Sequence, residues 1–236
     1  MKRKRDKIDF TGDMMHVKCG GSNKLTHVHR GLLEKWTNIF EVSELVRGTL
    51  DPTDKTLDLS YHADHDSFQL VVQWMYSGDA EFVDDAADPV AAISLLERAY
   101  GAAERLGIGY KQDDYSLSNS IMDQIVTRMT APQKFGPVVT VKDFIGICQS
   151  DGFRLRGFIQ DWLIYGNLTS KVDPVNVAQL VVELYDQNWH VRDFFSAFVN
   201  RRLAGNGPAP WEKDPCVYHL HSKESKRCQA RASAAR

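Results

Sequence analysis

Two stretches decide how this chain is read: residues 13–40, DMMHVKCGGSNKLTHVHRGLLEKWTNIF, and residues 57–78, LDLSYHADHDSFQLVVQWMYSG. The first opens with two β-capable runs, Met14 to Cys19 and Leu25 to Val28. The break between them, Gly20-Gly21-Ser22-Asn23, marks a hairpin. A helix is expected at once from His29, because Leu32, Leu33, Trp36 and Phe40 recur at helical spacing. Leu57 to Leu59 reads as a further extended piece. Asp64 to Ser67 then supplies short polar side chains able to cap the next helix. That helix carries the clearest stripe in the chain, Phe68, Val71, Val72, Met75 and Tyr76. Gly78 stands where a left-handed cap is easiest.

The ordered set Asp13, Val17, Gly20-Gly21, Val28-His29-Arg30, Leu33, Phe40, Leu57-Asp58-Leu59, Phe68 and Trp74 to Gly78 resembles the BTB/POZ domain, an α+β protein-interaction module. The likeness is greatest to filamentous-fungal proteins that carry one such domain near the N-terminus. It covers residues 13 to about 107, and its strength lies in order and spacing, since each short piece is weak alone. The resemblance implies an α+β fold, a small sheet with helices, followed by an all-helical region. It further implies a homodimer whose interface includes Asp13, Arg30, Leu32, Leu33, Trp36 and Phe40. Asp13 and Arg30 match positions where the family places an acidic and a basic residue at a charged pocket; two ordinary surface charges are the alternative. A cullin-based ubiquitin ligase adaptor is the second implied role. Against it, Leu50-Asp51-Pro52 has Pro where adaptor relatives carry Glu.

Beyond Gly78, Pro89 suits the first position of a helix running from Val90 to Leu106, with Ile93, Leu96, Tyr100, Ala103 and Leu106 inward and Gly107 and Gly109 as its stop. The expected organisation is a basic tail over 1–12, the α+β domain over 13–109, a helical region over 113–205 and a flexible tail over 206–236. Helices in the third segment are read from Ser118 or Asn119 to Met129, from Val141 to Cys148, from Leu155 to Tyr165, after Asp173-Pro174, and around Val191 to Leu203.

The chain has 236 residues, 43% of them hydrophobic, and a formal net charge of −2. Residues 1–8 and 222–236 each carry +4, leaving −10 on the body, which does not suit a nucleic-acid-binding face. No apolar run approaches the roughly 20 residues that span a membrane, and the first residues lack the apolar core of a secretory signal. Nucleus or cytoplasm is the expected location. Lys2-Arg3-Lys4-Arg5 reads either as an import signal or as a solvated terminus. Cys19, Cys148, Cys216 and Cys228 are then thiols or metal ligands.

Two constellations could carry metal chemistry. His62-Ala63-Asp64-His65-Asp66 has the residue types of a hydrolytic metal site, and a metal-dependent hydrolase is the reading from a different functional class. Helix capping explains the same residues more simply. Cys216, His219, His221 and Cys228 make a chemically competent tetrahedral zinc set, structural if closed, set against an unstructured tail. Cys19 beside Gly20-Gly21 has no identifiable base for nucleophilic work. The expected protein is non-enzymatic, a scaffold or adaptor whose partners are a second copy of itself and other proteins, with no cofactor beyond a structural zinc.

Overall fold

The computed structural model describes residues 12–20, 24–40, 50–51, 55–78, 89–130, 153–166, 196, 200, 207–214 and 216–221. It is an α+β structure whose chain divides into two compact units, the first Met1–Ile121 with His221–Lys226 and the second Met122–Leu220 with Arg227–Arg236. The expected helices at 141–148, after 173 and around 191–203 lie outside the described residues, apart from helical Ser196 and Asn200.

The first unit is built on a four-stranded sheet. Strand β1 (Met14–Lys18) pairs antiparallel with β2 (Leu25–His29), with Met14 opposite His29 and Lys18 opposite Leu25. On its other side β1 pairs parallel with β4 (Thr56–Asp58), and β3 (Leu50–Asp51) closes that edge, antiparallel to β4. The order is β2-β1-β4-β3. A parallel return needs a crossover, and helix α1 (Arg30–Trp36) lies in that connection. Side chains alternate as the pleat requires. Met15, Val17, Thr26, Val28 and Leu57 are buried on the inner face, while Met14, Lys18, Leu25 and His27 turn outward.

Gly20 has a reason other than a hairpin turn. Its N–H donates to the Ala63 carbonyl at 2.9 Å, and a Cβ there would stand 2.6 Å from the Ser60 carbonyl oxygen. Only glycine permits that approach.

Helix α2 (His65–Ser77) begins and ends as its residues foretell. The Asp64 side chain accepts from the backbone N–H groups of Asp66 and Ser67, and Gly78 closes the helix at φ 76°. Its apolar face is broader than the expected stripe. Leu70 and Trp74 are buried together with Phe68, Val71, Val72 and Met75, because α2 touches α1 and β2 as well as helix α3 (Pro89–Arg105). Trp74 meets Trp36 of α1 edge to face at 4.9 Å between centroids. From α3 come Ile93, Leu96 and Tyr100, with Ala92, Ala99, Ala102 and Ala103 small enough for close approach. The α3 end is a Schellman turn. Ile108 N–H donates to the Ala103 carbonyl, Gly107 N–H to that of Glu104, and Gly107 takes φ 65°.

Helix α4 (Ser116–Thr130) starts earlier than Ser118, which is itself buried inside it. The Asp114 carboxylate accepts from Ser116 N–H at the start of the helix, an acceptor the periodicity of the apolar residues does not disclose. The two units part within α4 and not near Gly109–Asp114, since Leu117 and Ile121 are wholly buried and belong to the first.

The second unit holds the rest of α4, with Met122, Ile125 and Met129 inward, and helix α5 (Phe153–Gly166), with Leu155, Phe158 and Ile159 inward. The Leu163 side chain, expected on the same face, lies outside the described residues. Residues expected in a flexible tail are folded here. Pro210 opens a one-turn helix α6 (Pro210–Lys213), with Ala209 N–H donating to Glu212 Oε2 at 2.9 Å. Phe158 packs against Trp211 and Tyr218 at 5.7 and 5.1 Å, and Trp162 Nε1–H donates to the Met129 carbonyl. Three aromatic rings from sequence-distant positions therefore form one cluster, which tail composition could not reveal.

Candidate interaction surface

The open face of the hairpin is the outward side of β1 and β2. It exposes Met14 (40%) and Leu25 (46%), two of the few large apolar side chains exposed among the described residues. Around them stand Lys18, whose Nζ lies 3.6 Å from Asp58 Oδ2, and Lys55, whose Nζ lies 3.0 Å from Asp13 Oδ2. Hydrogen bonds from Ser60, reinforced by the charge of Lys18, hold the Asp58 carboxyl below its ordinary range.

The six expected interface residues fall into two groups. Leu32, Leu33 and Trp36 are buried within the first unit, as is Ile39, so α1 does not carry a surplus apolar face for a second copy. Its apolar spread is wide because α1 meets β2 on one side and α2 on another. Asp13, Arg30 and Phe40 remain accessible at one end of the hairpin. Asp13 and Arg30 are tied through the main chain, Arg30 N–H donating to the Asp13 carbonyl at 2.9 Å. Their side chains part company. Asp13 pairs with Lys55, while Arg30 Nε donates to Glu34 Oε1 at 2.7 Å and its guanidinium lies 5.5 Å from the Phe40 ring centre. Within one chain, Asp13 and Arg30 therefore belong to two separate exposed pairs. Local i,i+4 reach favours Glu34 for Arg30, and β-sheet pairing sets Lys55 near Asp13.

The His62 to Asp66 cluster resolves as a helix start. Both Asp64 carboxylate oxygens are engaged: Oδ1 by the two cap N–H groups, Oδ2 by the Ser67 hydroxyl at 2.7 Å and Arg98 Nε at 3.2 Å. Burial pushes the Asp64 carboxyl up, but the Ser67 hydrogen bonds and the Arg98 charge outweigh it and leave the group below its usual range. His62 is shifted down, by burial first and the nearby Arg105 charge second; its carbonyl accepts from Arg105 Nε at 2.7 Å.

Among the described residues the Cys/His set is not gathered into a metal site. His219 is 5% exposed, with Nε2 3.1 Å from Asp123 Oδ1. Cys216 and His221 are partly exposed, and Cys228 lies outside the described residues. No group of three or more His, Cys, Asp or Glu is placed to hold a metal ion among the described residues. The Cys19 thiol is 1% exposed and pushed up to about 12 by burial, then by the charges of Asp64 and Asp58.

Several polar contacts have no counterpart in the sequence reading. His29 Nδ1 lies 2.6 Å from the Tyr76 hydroxyl, and Tyr218 donates to Asp161 Oδ2 at 2.6 Å. On the open face His16 stands opposite His27, with Nδ1 atoms 2.8 Å apart. This last pair was within reach of the sequence. A hairpin turning at Gly21-Ser22 sets residues 16 and 27 opposite each other, and both share the outward phase of the alternation.

Among the described residues, no helix is long and apolar enough to cross a membrane. Compared with protein-family models, with curated proteins and with solved structures, the chain matches none.

Proposed function

We propose that this chain is a non-enzymatic protein-interaction module of the BTB/POZ kind, which self-associates through the Asp13 end of its hairpin. The observation that carries the reading is the succession of elements: a hairpin, a short buried helix, a strand returning parallel to β1, and a capped helix pair α2–α3. That succession supports the resemblance read from residues 13 to 107.

The contact surface combines Asp13, Met14, Arg30 and Phe40, with Leu32, Leu33 and Trp36 supporting it from within. Met14 supplies exposed apolar area, and the Arg30 guanidinium over Phe40 supplies a planar group that pairs well with carboxylates. Two-fold pairing of one such patch with itself is the commonest route to a closed homo-oligomer. A specific interface of standard size covers about 800 Å² on each partner, so flanking surface joins these anchors.

Light scattering on the full chain at micromolar concentration tests this. A dimer is expected, and Met14→Asp should shift it toward monomer by placing a charge against its symmetry mate. Asp13→Ala should weaken it less than Met14→Asp does, because an exposed charge such as Asp13, paired with Lys55, contributes at most about 1 kcal/mol. A monomeric wild type removes the self-association; a dimer indifferent to Met14→Asp removes this surface.

A further inference from the structure

We infer that His16 and His27 form a two-imidazole chelate for a divalent transition-metal ion of tetragonal preference, Cu(II) foremost, on the open face of the sheet. The inference stands on hairpin geometry and is independent of the proposed interaction role. The two residues are directly opposed on β1 and β2, so the hairpin ladder sets the distance between their backbones before any ion arrives. Their Nδ1 atoms are 2.8 Å apart and their rings are nearly perpendicular, at 83°.

That separation has chemical meaning. Metal–imidazole bonds are about 2.0 Å long, so two of them at a right angle put their nitrogens about 2.8 Å apart, whereas a tetrahedral angle needs about 3.3 Å. Cis positions of a square-planar or tetragonal ion, the preference of Cu(II) and Ni(II), are therefore within reach, and of the divalent first-row ions Cu(II) binds such nitrogen sites most tightly. In the metal-free protein the same contact is a hydrogen bond between one N–H and one lone pair. The torsion about the ring bond of histidine is broad, so the exposed His27 ring and the half-buried His16 ring can turn to aim lone pairs at a shared ion.

The surroundings suit a cation with open coordination positions. In the sheet register Thr56 continues the row beside His16. Lys18 lies in the next row, where Asp58 offsets its charge. Water completes the remaining positions, so the site is an open one of two protein ligands. It shares no residue with the Cys216/His219/His221/Cys228 set, and binding requires both imidazoles neutral, so protons compete with the metal.

Electron paramagnetic resonance on the full chain with less than one equivalent of Cu(II) reads the number of bound nitrogens. Two imidazole nitrogens are expected in the wild type. One should remain in His16→Gln and in His27→Gln, each binding copper at least about tenfold more weakly because the second, intramolecular contact is lost. His221→Gln should leave the signal unchanged. Circular dichroism of each variant separates loss of a ligand from loss of the hairpin. A nitrogen count and affinity unaltered in both folded hairpin variants overturns the inference, as does a signal abolished by His221→Gln alone.

Discussion

Replacing Tyr218 by Phe removes one oxygen from the second unit and tests whether residues 207–220 are part of its core. The Tyr218 hydroxyl donates to Asp161 Oδ2 at 2.6 Å, and the residue is 5% exposed. Burial raises the Asp161 carboxyl above its ordinary value of 3.8, and the Tyr218 hydroxyl offsets only part of that rise. A hydrogen bond to a charged group is worth about 1.5–3 kcal/mol. Asp161 keeps some contact with water, so the lower half of that range, about 1.5–2 kcal/mol, is the expected loss. For a unit of this size each kcal/mol lowers the melting temperature by roughly 4–8 °C. The pH dependence follows from the raised folded-state pKa of Asp161. A group shifted upward stabilises the fold when protonated; that contribution is complete below 3.8 and fades as pH rises through the folded value. Phenylalanine removes the offsetting hydroxyl and lifts the carboxyl further. The gap between wild type and variant should therefore be widest at neutral pH and narrow toward pH 4. Urea unfolding read by hydrogen exchange in peptides covering 207–221 and 153–166 measures it. A change under about 0.5 kcal/mol at pH 7, the range of an ordinary surface substitution, would show that Tyr218 is not anchored to α5.

Asp64→Ala should cost about 1–2 kcal/mol in the first unit, since it removes the α2 cap and the Arg98 partner together. Because the Asp64 pKa is depressed on folding, its contribution is present above pH 3.8 and is lost as pH falls through the folded value; acid titration of wild type and variant should converge there. Cys19 should resist iodoacetamide at pH 8 in the folded protein and react only after denaturation; prompt alkylation would contradict its burial and its pKa near 12. Truncation after Gly109 should expose apolar surface and raise binding of a hydrophobic dye. Truncation after Ile121 should raise it less, because Leu117 and Ile121 of α4 complete the first core.

Local signals in the sequence determined much of the first unit. Two β-capable runs on either side of a glycine-led break set β1 and β2, and a 3.6-residue spacing set α2 and α3. Asp64, Gly78 and Gly107 marked helix ends because a cap acts on N–H or carbonyl groups within a few residues of itself. The opposition of His16 and His27 was contained in the same local information, once the hairpin turn was placed. Tertiary structure alone decided which side chains meet across long separations: Asp64 with Arg98, Asp161 with Tyr218, Asp123 with His219. It also decided that the whole apolar spread of α1 is consumed within its own unit, and that Asp13 and Arg30 turn to different partners. The physical reason is reach. Periodicity and capping energies are written within one or two turns of chain, whereas burial and charge pairing depend on which surface happens to lie within about 4 Å, and only the packed fold supplies that surface.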